Sequence, residues 1–263
     1  MDFGLKGRTA IVAAASSGLG KAIAWELVAE GANVVINGRN EETLIAAANE
    51  IHAATGAEVM LITGDVTDEK DVRQLVQEAK SRFGRIDIMV TNAGGPPAGF
   101  FDDFAAEHYR QAVELNLIST INLCRAAVPH MRAQRWGRIV AITSIAAKQP
   151  VENLMLSNTA RAGVLGFMKT LSQQIAIDGI TVNTLCPGYH LTERLESLGS
   201  LTAGREGIAR EEVYDRWAAS TSSKRIGDPK EFAAVAAFLC SERASYVTGT
   251  VIQVDGGANK GLM

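Results

Sequence analysis

The sequence predicts an α/β fold: a parallel sheet covered by helices on both faces. Three observations carry this. Short Val- and Ile-rich runs are continuous rather than alternating, as in strands buried on both sides. Longer stretches with apolar residues at helical spacing separate them, and such alternation implies right-handed βαβ crossovers. The first apolar run also passes directly into a glycine-containing turn, Ala13-Ala14-Ala15-Ser16-Ser17-Gly18-Leu19-Gly20-Lys21, and then a helix.

In order, the expected strands are Thr9–Ala14, Asn33–Asn37, Glu58–Thr63, Ile86–Thr91, Gly137–Ser144, Ile180–Cys186 and Val251–Val254. Helical patterns fill Lys21–Glu30, Glu41–Ala54, Asp68–Phe83, Asn116–Arg132 and Leu156–Ala176. In the third of these, Val72, Leu75, Val76 and Ala79 recur on one face. No break in composition marks a second domain, so residues 1–263 are expected to form one. The polar stretch 193–228, with Gly199, Gly204, Gly207 and Gly227, is too long for a simple connection. It is expected to be a lid over a site, the plain alternative being a helical insertion.

Composition narrows the function. With 47% hydrophobic and 21% charged residues the chain reads as an ordinary globular protein, and a net charge of −3 gives no reason to expect nucleic acid or an anionic membrane surface. Cys124, Cys186 and Cys240 are far apart, and His52, His108, His130 and His190 have no ligand spacing, so neither disulfides nor a metal site are expected. The apolar run near the start, Ala10–Ala15, is too short for a signal peptide, and no run is long enough to span a membrane. A cytoplasmic location is the expectation.

The turn after the first strand suits a pyrophosphate: glycines allow close backbone approach, and the helix N-terminus faces the charge. It is not a P-loop, because Ala15 stands where that motif needs glycine and Ala22 follows Lys21. Alone, a tight strand–helix turn explains it equally well. Further markers follow: Asp65-Val66, Asn92-Ala93-Gly94, Asn116, Ser144, Val182-Asn183, Pro187-Gly188 with Thr192, and Val254-Asp255-Gly256-Gly257. Taken together, in this order and spacing, the chain resembles the short-chain dehydrogenase/reductase family over nearly its whole length. The resemblance implies a single Rossmann-type, doubly wound domain with a seven-stranded parallel sheet, assembled as a homotetramer or homodimer.

It also implies a dinucleotide on Ser16, Ser17, Gly18, Leu19 and Gly20, with Asp65 and Val66 near the adenine, Asn92, Ala93 and Gly94 along a ribose, and Pro187, Gly188 and Thr192 at the nicotinamide. One departure is that the family's Thr and first Gly are here Ala13 and Ala14, whose methyl crowds the turn. Sites that prefer NAD carry an acid about 20 residues after the glycines. Here Arg39 stands 19 positions after Gly20. Its planar fork suits a 2′-phosphate, so NADP is expected in preference to NAD, with Ser16 or Ser17 adding a hydroxyl.

By the same resemblance, an Asn, a Ser, a Tyr and a Lys do the chemistry on a small carbonyl or alcohol substrate. Tyr transfers the proton, and Lys lowers its pKa and holds the nicotinamide ribose. Asn116 and Ser144 match. The position thirteen after Ser144 holds Ser157 rather than Tyr, and the position four further on holds Arg161 rather than Lys. No YxxxK occurs elsewhere: Tyr109, Tyr189, Tyr214 and Tyr246 are followed four residues on by Val113, Glu193, Ala218 and Thr250. A serine hydroxyl is far less acidic than a phenol near pKa 10, and a guanidinium does not release its proton in proteins near neutral pH. Arg161 can bind the ribose or stabilise an oxyanion.

Three functions therefore stay open. The first is a reductase with an altered site, its proton coming from Lys148, Tyr189, His190 or a water on Asn116. Packing within the lid is the alternative role for Tyr189 and His190. The second is a dinucleotide-binding sensor without turnover. The third is non-redox chemistry in the same pocket. Residues 95–101 and Trp217 are expected to line the substrate pocket and make it partly apolar.

Overall fold

Strand β1, Thr9–Val12, is inaccessible on both sides, and the rest of the fold is laid out around it. The computed structural model describes residues 2–262. The other strands are β2 Asn33–Gly38, β3 Met60–Thr63, β4 Ile88–Thr91, β5 Gly137–Ile142, β6 Ile180–Pro187 and β7 Val251–Val254. They form one seven-stranded sheet in the order β3-β2-β1-β4-β5-β6-β7, parallel throughout. The order reverses between β1 and β4, and in such sheets that switch point opens a crevice beyond the strands' carboxyl ends.

Strand periodicity divides the core. Ala10, Val12, Val34, Ile36, Val90 and Val140 face one layer, made by α1 (Gly18–Ala29), α2 (Glu41–Thr55) and α9 (Pro229–Cys240). Ile11, Val35, Met89, Ile139 and Val182 face the other, made by α3 (Glu69–Phe83), α5 (Ser119–Gln134) and α6 (Met155–Ile175). Because both faces are covered, the strands read as unbroken apolar runs. Several helix boundaries follow local chemistry. The Asn40 and Asp68 side chains accept from Thr43 N and Lys70 N at the starts of α2 and α3, and Gly56 and Gly84 end those helices in the left-handed conformation.

One region differs from the sequence expectation. The helix expected from Asn116 begins earlier: α4, Ala106–Val113, runs through a π turn at Glu114–Ile118 into α5. Asn116 lies in that π turn, a distortion common at functional sites. Residues 193–228 contain two helices, α7 (Glu193–Glu206) and α8 (Arg210–Ser220). They cross where Gly199 leaves room for Tyr214, since a Cβ there would lie 2.6 Å from the ring.

The β1–α1 turn is held from both neighbouring strands. Ala13 N donates to Val90 O and Ala15 N to Asn37 O. Between them Ala14 takes φ +46°, the left-handed region that glycine occupies freely. The Asn92 side-chain amide donates to the Ala14 carbonyl at 3.1 Å and helps hold that conformation. The same carbonyl lies against α1, where a Cβ at Gly20 would come within 2.6 Å of it. The methyl of Ala14 is thus accommodated at a conformational cost of about 1–2 kcal/mol. Ala14→Gly relieves that cost but adds unfolded-chain entropy, so its stability stays within about 1 kcal/mol of the parent. Ala14→Val puts a β-branched residue at positive φ and loses about 1–3 kcal/mol in urea unfolding. Equal stability of the glycine and valine variants would show that this backbone conformation is unstrained.

Candidate active site

The residues expected to hold a dinucleotide collect along the carboxyl edge of the sheet. Ser17 is the N-cap of α1 but makes no side-chain capping bond, and the first turn of α1 contains no acid. The amide end of that helix is therefore free to face an anion. Across the crevice a Cβ on Gly18 would lie 3.5 Å from the Thr192 methyl. Thr192 is the N-cap of α7, its hydroxyl accepting from Leu195 N at 3.3 Å. Gly20 and Leu19 continue the first turn of α1, and Pro187 and Gly188 follow at the end of β6.

Arg39 lies exposed just past the end of β2. Ser16 lies against Gly38, the residue before Arg39, where a Cβ would be 3.5 Å from the Ser16 Cβ. Past β3, the Asp65 carboxylate accepts from the Thr67 amide and hydroxyl, and Val66 is buried. Past β4, Asn92 is tied to Ala14, Ala93 packs on the core, and Gly94 opens onto free space with nothing within 4 Å of where a Cβ would be. The set fits a phosphorylated dinucleotide: an uncapped helix N-terminus for the diphosphate, an open glycine for a ribose, and an exposed arginine beside a serine for a further phosphate.

The residues expected to do the chemistry lie on the π turn, past the end of β5 and on α6. Asn116 is 4% exposed; its Nδ2 donates to Gly94 O at 3.1 Å, and its buried Oδ1 has no partner among the described residues. A buried acceptor left open is costly unless a water or ligand hydroxyl fills it. Ser144 follows β5 at the start of a short 3₁₀ turn, Ile145–Ala147, where its Oγ accepts from Ala146 N at 3.1 Å. The Ser144 O–H remains available to donate. Ser157 and Arg161 lie one turn apart on α6, 6% and 8% exposed.

Arg161 reaches the end of β5. Its Nη1 donates to the carbonyls of Ile142 and Thr143 at 3.2 and 2.9 Å. No carboxylate pairs with it among the described residues. Burial, and then the neighbouring charge of Arg194, push its pKa down to about 10, so it stays a cation at neutral pH.

The spare proton donors divide. Tyr189 stacks on Trp217 with ring centroids 5.2 Å apart. His190 is buried against Phe232, centroids 5.4 Å apart, with burial lowering its pKa. Both rings are packed against neighbouring aromatic side chains. Asn158, another polar group on α6, bonds both ways to the Val151 backbone. Lys148 is half-buried after the 3₁₀ turn, and its charge acts on Cys186 at the end of β6. Sequence reasoning missed Arg194. Its Nη2 donates to the Pro96 carbonyl at 2.7 Å, in the loop after β4. In the sequence it is one more charge in a polar stretch. Its position two residues past Thr192 was the available signal.

Comparison with known proteins agrees with this geometry. The model of a family described as enoyl-(acyl carrier protein) reductase matches residues 13–259. The NADPH-dependent reductase BacG of Bacillus subtilis is 32% identical over 256 residues, 97% of this chain and 99% of that protein. The 3-oxoacyl-[acyl-carrier-protein] reductase FabG of Aquifex aeolicus is 32% identical over 257 residues, 98% of this chain and 99% of that one. Among solved structures, L-sorbose reductase from Gluconobacter frateurii, complexed with NADPH and L-sorbose, superposes with a TM-score of 0.94 at 34% identity, covering 100% of both chains. The shared sheet, the dinucleotide cradle and matches that run nearly end to end place this chain in the short-chain dehydrogenase/reductase family.

Proposed function

We propose that the protein is an NADP(H)-dependent oxidoreductase that reduces a carbonyl, or oxidises the matching alcohol, with Asn116, Ser144, Ser157 and Arg161 as its working set. The observation that carries this is the buried Arg161 cation. It has no acid partner and is fixed to the end of β5 beside Ser144. The cofactor preference is supported by Arg39 beside Ser16 and by the NADPH named for BacG and L-sorbose reductase. Residues 193–228 form the proposed lid, since α7 starts at Thr192 on the crevice.

When bound, NADPH supplies the hydride. The protein must then stabilise the charge that grows on the substrate oxygen and deliver a proton to it. The Ser144 O–H donates to that oxygen. The Arg161 cation lowers the energy of the oxyanion without giving up its own proton, an effect strengthened by the dry surroundings. Ser157 is too weak an acid to replace a phenol, so its part is to donate a hydrogen bond and fix position. The proton arrives through water at the open Asn116 Oδ1.

Two outcomes test this. Purified protein mixed with NADPH and a ketone panel shows absorbance loss; tight NADPH binding without turnover of any ketone would establish the sensor instead. Installing Ser157→Tyr and Arg161→Lys together raises reduction of simple ketones by about 10–100-fold if the present set is a weaker version of the usual one. A fall of that size shows that serine and arginine are specialised for a different substrate.

The pH dependence follows from Arg161. Its folded pKa is lowered toward about 10, so raising pH removes the proton earlier than in an ordinary arginine. The oxyanion stabilisation is complete below that pH and lost above it. We expect kcat to hold its contribution from Arg161 from about pH 7 to about pH 9 and to fall as pH passes about 10. An Arg161→Lys variant whose alkaline limb is unmoved would remove Arg161 from this role.

A further inference from the structure

Helix α7 crosses the crevice and is pinned at both ends to the loop that follows β4. At its start Arg194 Nη2 bonds the Pro96 carbonyl at 2.7 Å. The Arg194 guanidinium covers Gly95: a Cβ there would lie 2.8 Å from Nη2 and 2.9 Å from Cζ and Nε. Any larger residue at position 95 displaces it. At the far end of α7 the Arg205 guanidinium sits 4.2 Å from the centroid of the Phe100 ring. The lid helix therefore holds Arg194 in a fixed place over the loop that borders Asn116 and Gly94.

Arg194, on α7, and Arg161, on α6, are anchored past the ends of adjacent strands, Arg194 on the loop after β4 and Arg161 on the carbonyls that end β5. Neither forms an ion pair with any described carboxylate. Each spends one nitrogen on main-chain carbonyls and has further N–H groups left. After burial, the charge of Arg194 is the main influence that lowers the pKa of Arg161, and desolvation lowers that of Arg194 itself. Lys148 adds a third cation near the ends of β5 and β6. Glu193, the acid next to Arg194 in sequence, turns the other way: its Oε2 lies 3.6 Å from where a Cβ on Gly18 would be. Two neighbouring guanidiniums without an acid repel one another, and an anion between them removes that cost.

We infer that the substrate is an oxo acid, or the matching hydroxy acid, whose carboxylate is held between Arg161 and Arg194. A planar two-oxygen acceptor suits the N–H pairs that the guanidiniums leave unused. With the carboxylate there, the substrate carbonyl is directed toward Ser144 and the water at Asn116. Arg161 then has two tasks, and the exchange of lysine for arginine on α6 is explained. A permanent, forked cation binds an acid in a way a point charge does not. This inference rests on the reductase reading and adds the class of substrate to it.

The test uses acetoacetate, pyruvate, levulinate and phenylpyruvate, each beside its methyl ester, with NADPH-saturated full-length protein. Turnover is read by NADPH absorbance and binding by thermal shift of the NADP-loaded protein. At least one acid is expected to exceed its ester in kcat/KM by about tenfold or more. Arg194→Met is expected to bring that acid-to-ester ratio below about threefold while the Kd for NADPH moves by less than about threefold. An Arg194→Lys variant, which keeps the charge and loses the fork, is expected to fall between the two. Esters turned over as well as acids, or no acid bound or reduced, overturn the inference; ester turnover in that case leaves the reductase reading intact. An Arg194→Met effect that falls mainly on NADPH affinity also overturns it, because the arginine then serves the cofactor phosphates. Acids that raise the melting temperature with no compound reduced support the anion subsite and sink the reductase reading.

Discussion

A guanidinium taken out of water with no acid beside it constrains this site more than any other single feature. Arg161 answers that cost with the last carbonyls of β5, those of Ile142 and Thr143. Main-chain oxygens satisfy N–H groups but carry no full negative charge, so the cation stays uncompensated. The same bonds lock α6 to the strand end just before Ser144 and fix the two elements that carry the proposed chemistry. The consequences differ from those of a lysine at this position. A lysine can shed its proton and rotate; the guanidinium keeps its charge near neutral pH, offers several directed donors and favours whatever anion enters or forms next to it. The proposed oxyanion stabilisation and the inferred acidic substrate both rest on that one uncompensated charge.

The cofactor end works by different physics. It depends on backbone more than on side chains: an uncapped helix N-terminus, an open Gly94, and a turn pinned by main-chain bonds from β2 and β4. Ala14 shows how far such a site tolerates change. An alanine adopts the left-handed geometry because Asn92 and the two neighbouring strands hold it there. Departures in the cradle are thus absorbed by conformation, whereas departures on α6 change which groups can donate a proton.

Much of the fold was legible because the strands are buried on both faces. Ala10–Val12 and Val34–Ile36 could only be continuous apolar runs, and the one-sided apolar spacing of Val72, Leu75, Val76 and Ala79 gave the helix they lie on. The π turn around Asn116 was not legible, because one widened helical turn leaves no mark in composition or period. The paired helices of 193–228 were hidden by their polar, glycine-bearing sequence; what makes Gly199 necessary is Tyr214, fifteen residues away. In the site, the absence of Tyr and Lys was plain from spacing alone. What replaces them was not. Arg194 meets Pro96 only through the fold, and the packing of His190 and Tyr189 against Phe232 and Trp217 is announced by no local pattern.

The account stands most directly on what happens when the Arg161 charge is removed. In an Arg161→Met variant, with thermal melting used to verify that it folds, single-turnover reduction by pre-bound NADPH separates chemistry from cofactor binding. The predicted result is a rate lower by about 100-fold or more with NADPH affinity held within about threefold. A variant that folds, binds NADPH and reduces substrate at the parent rate would show that the buried cation is structural and that the site does its chemistry with other groups.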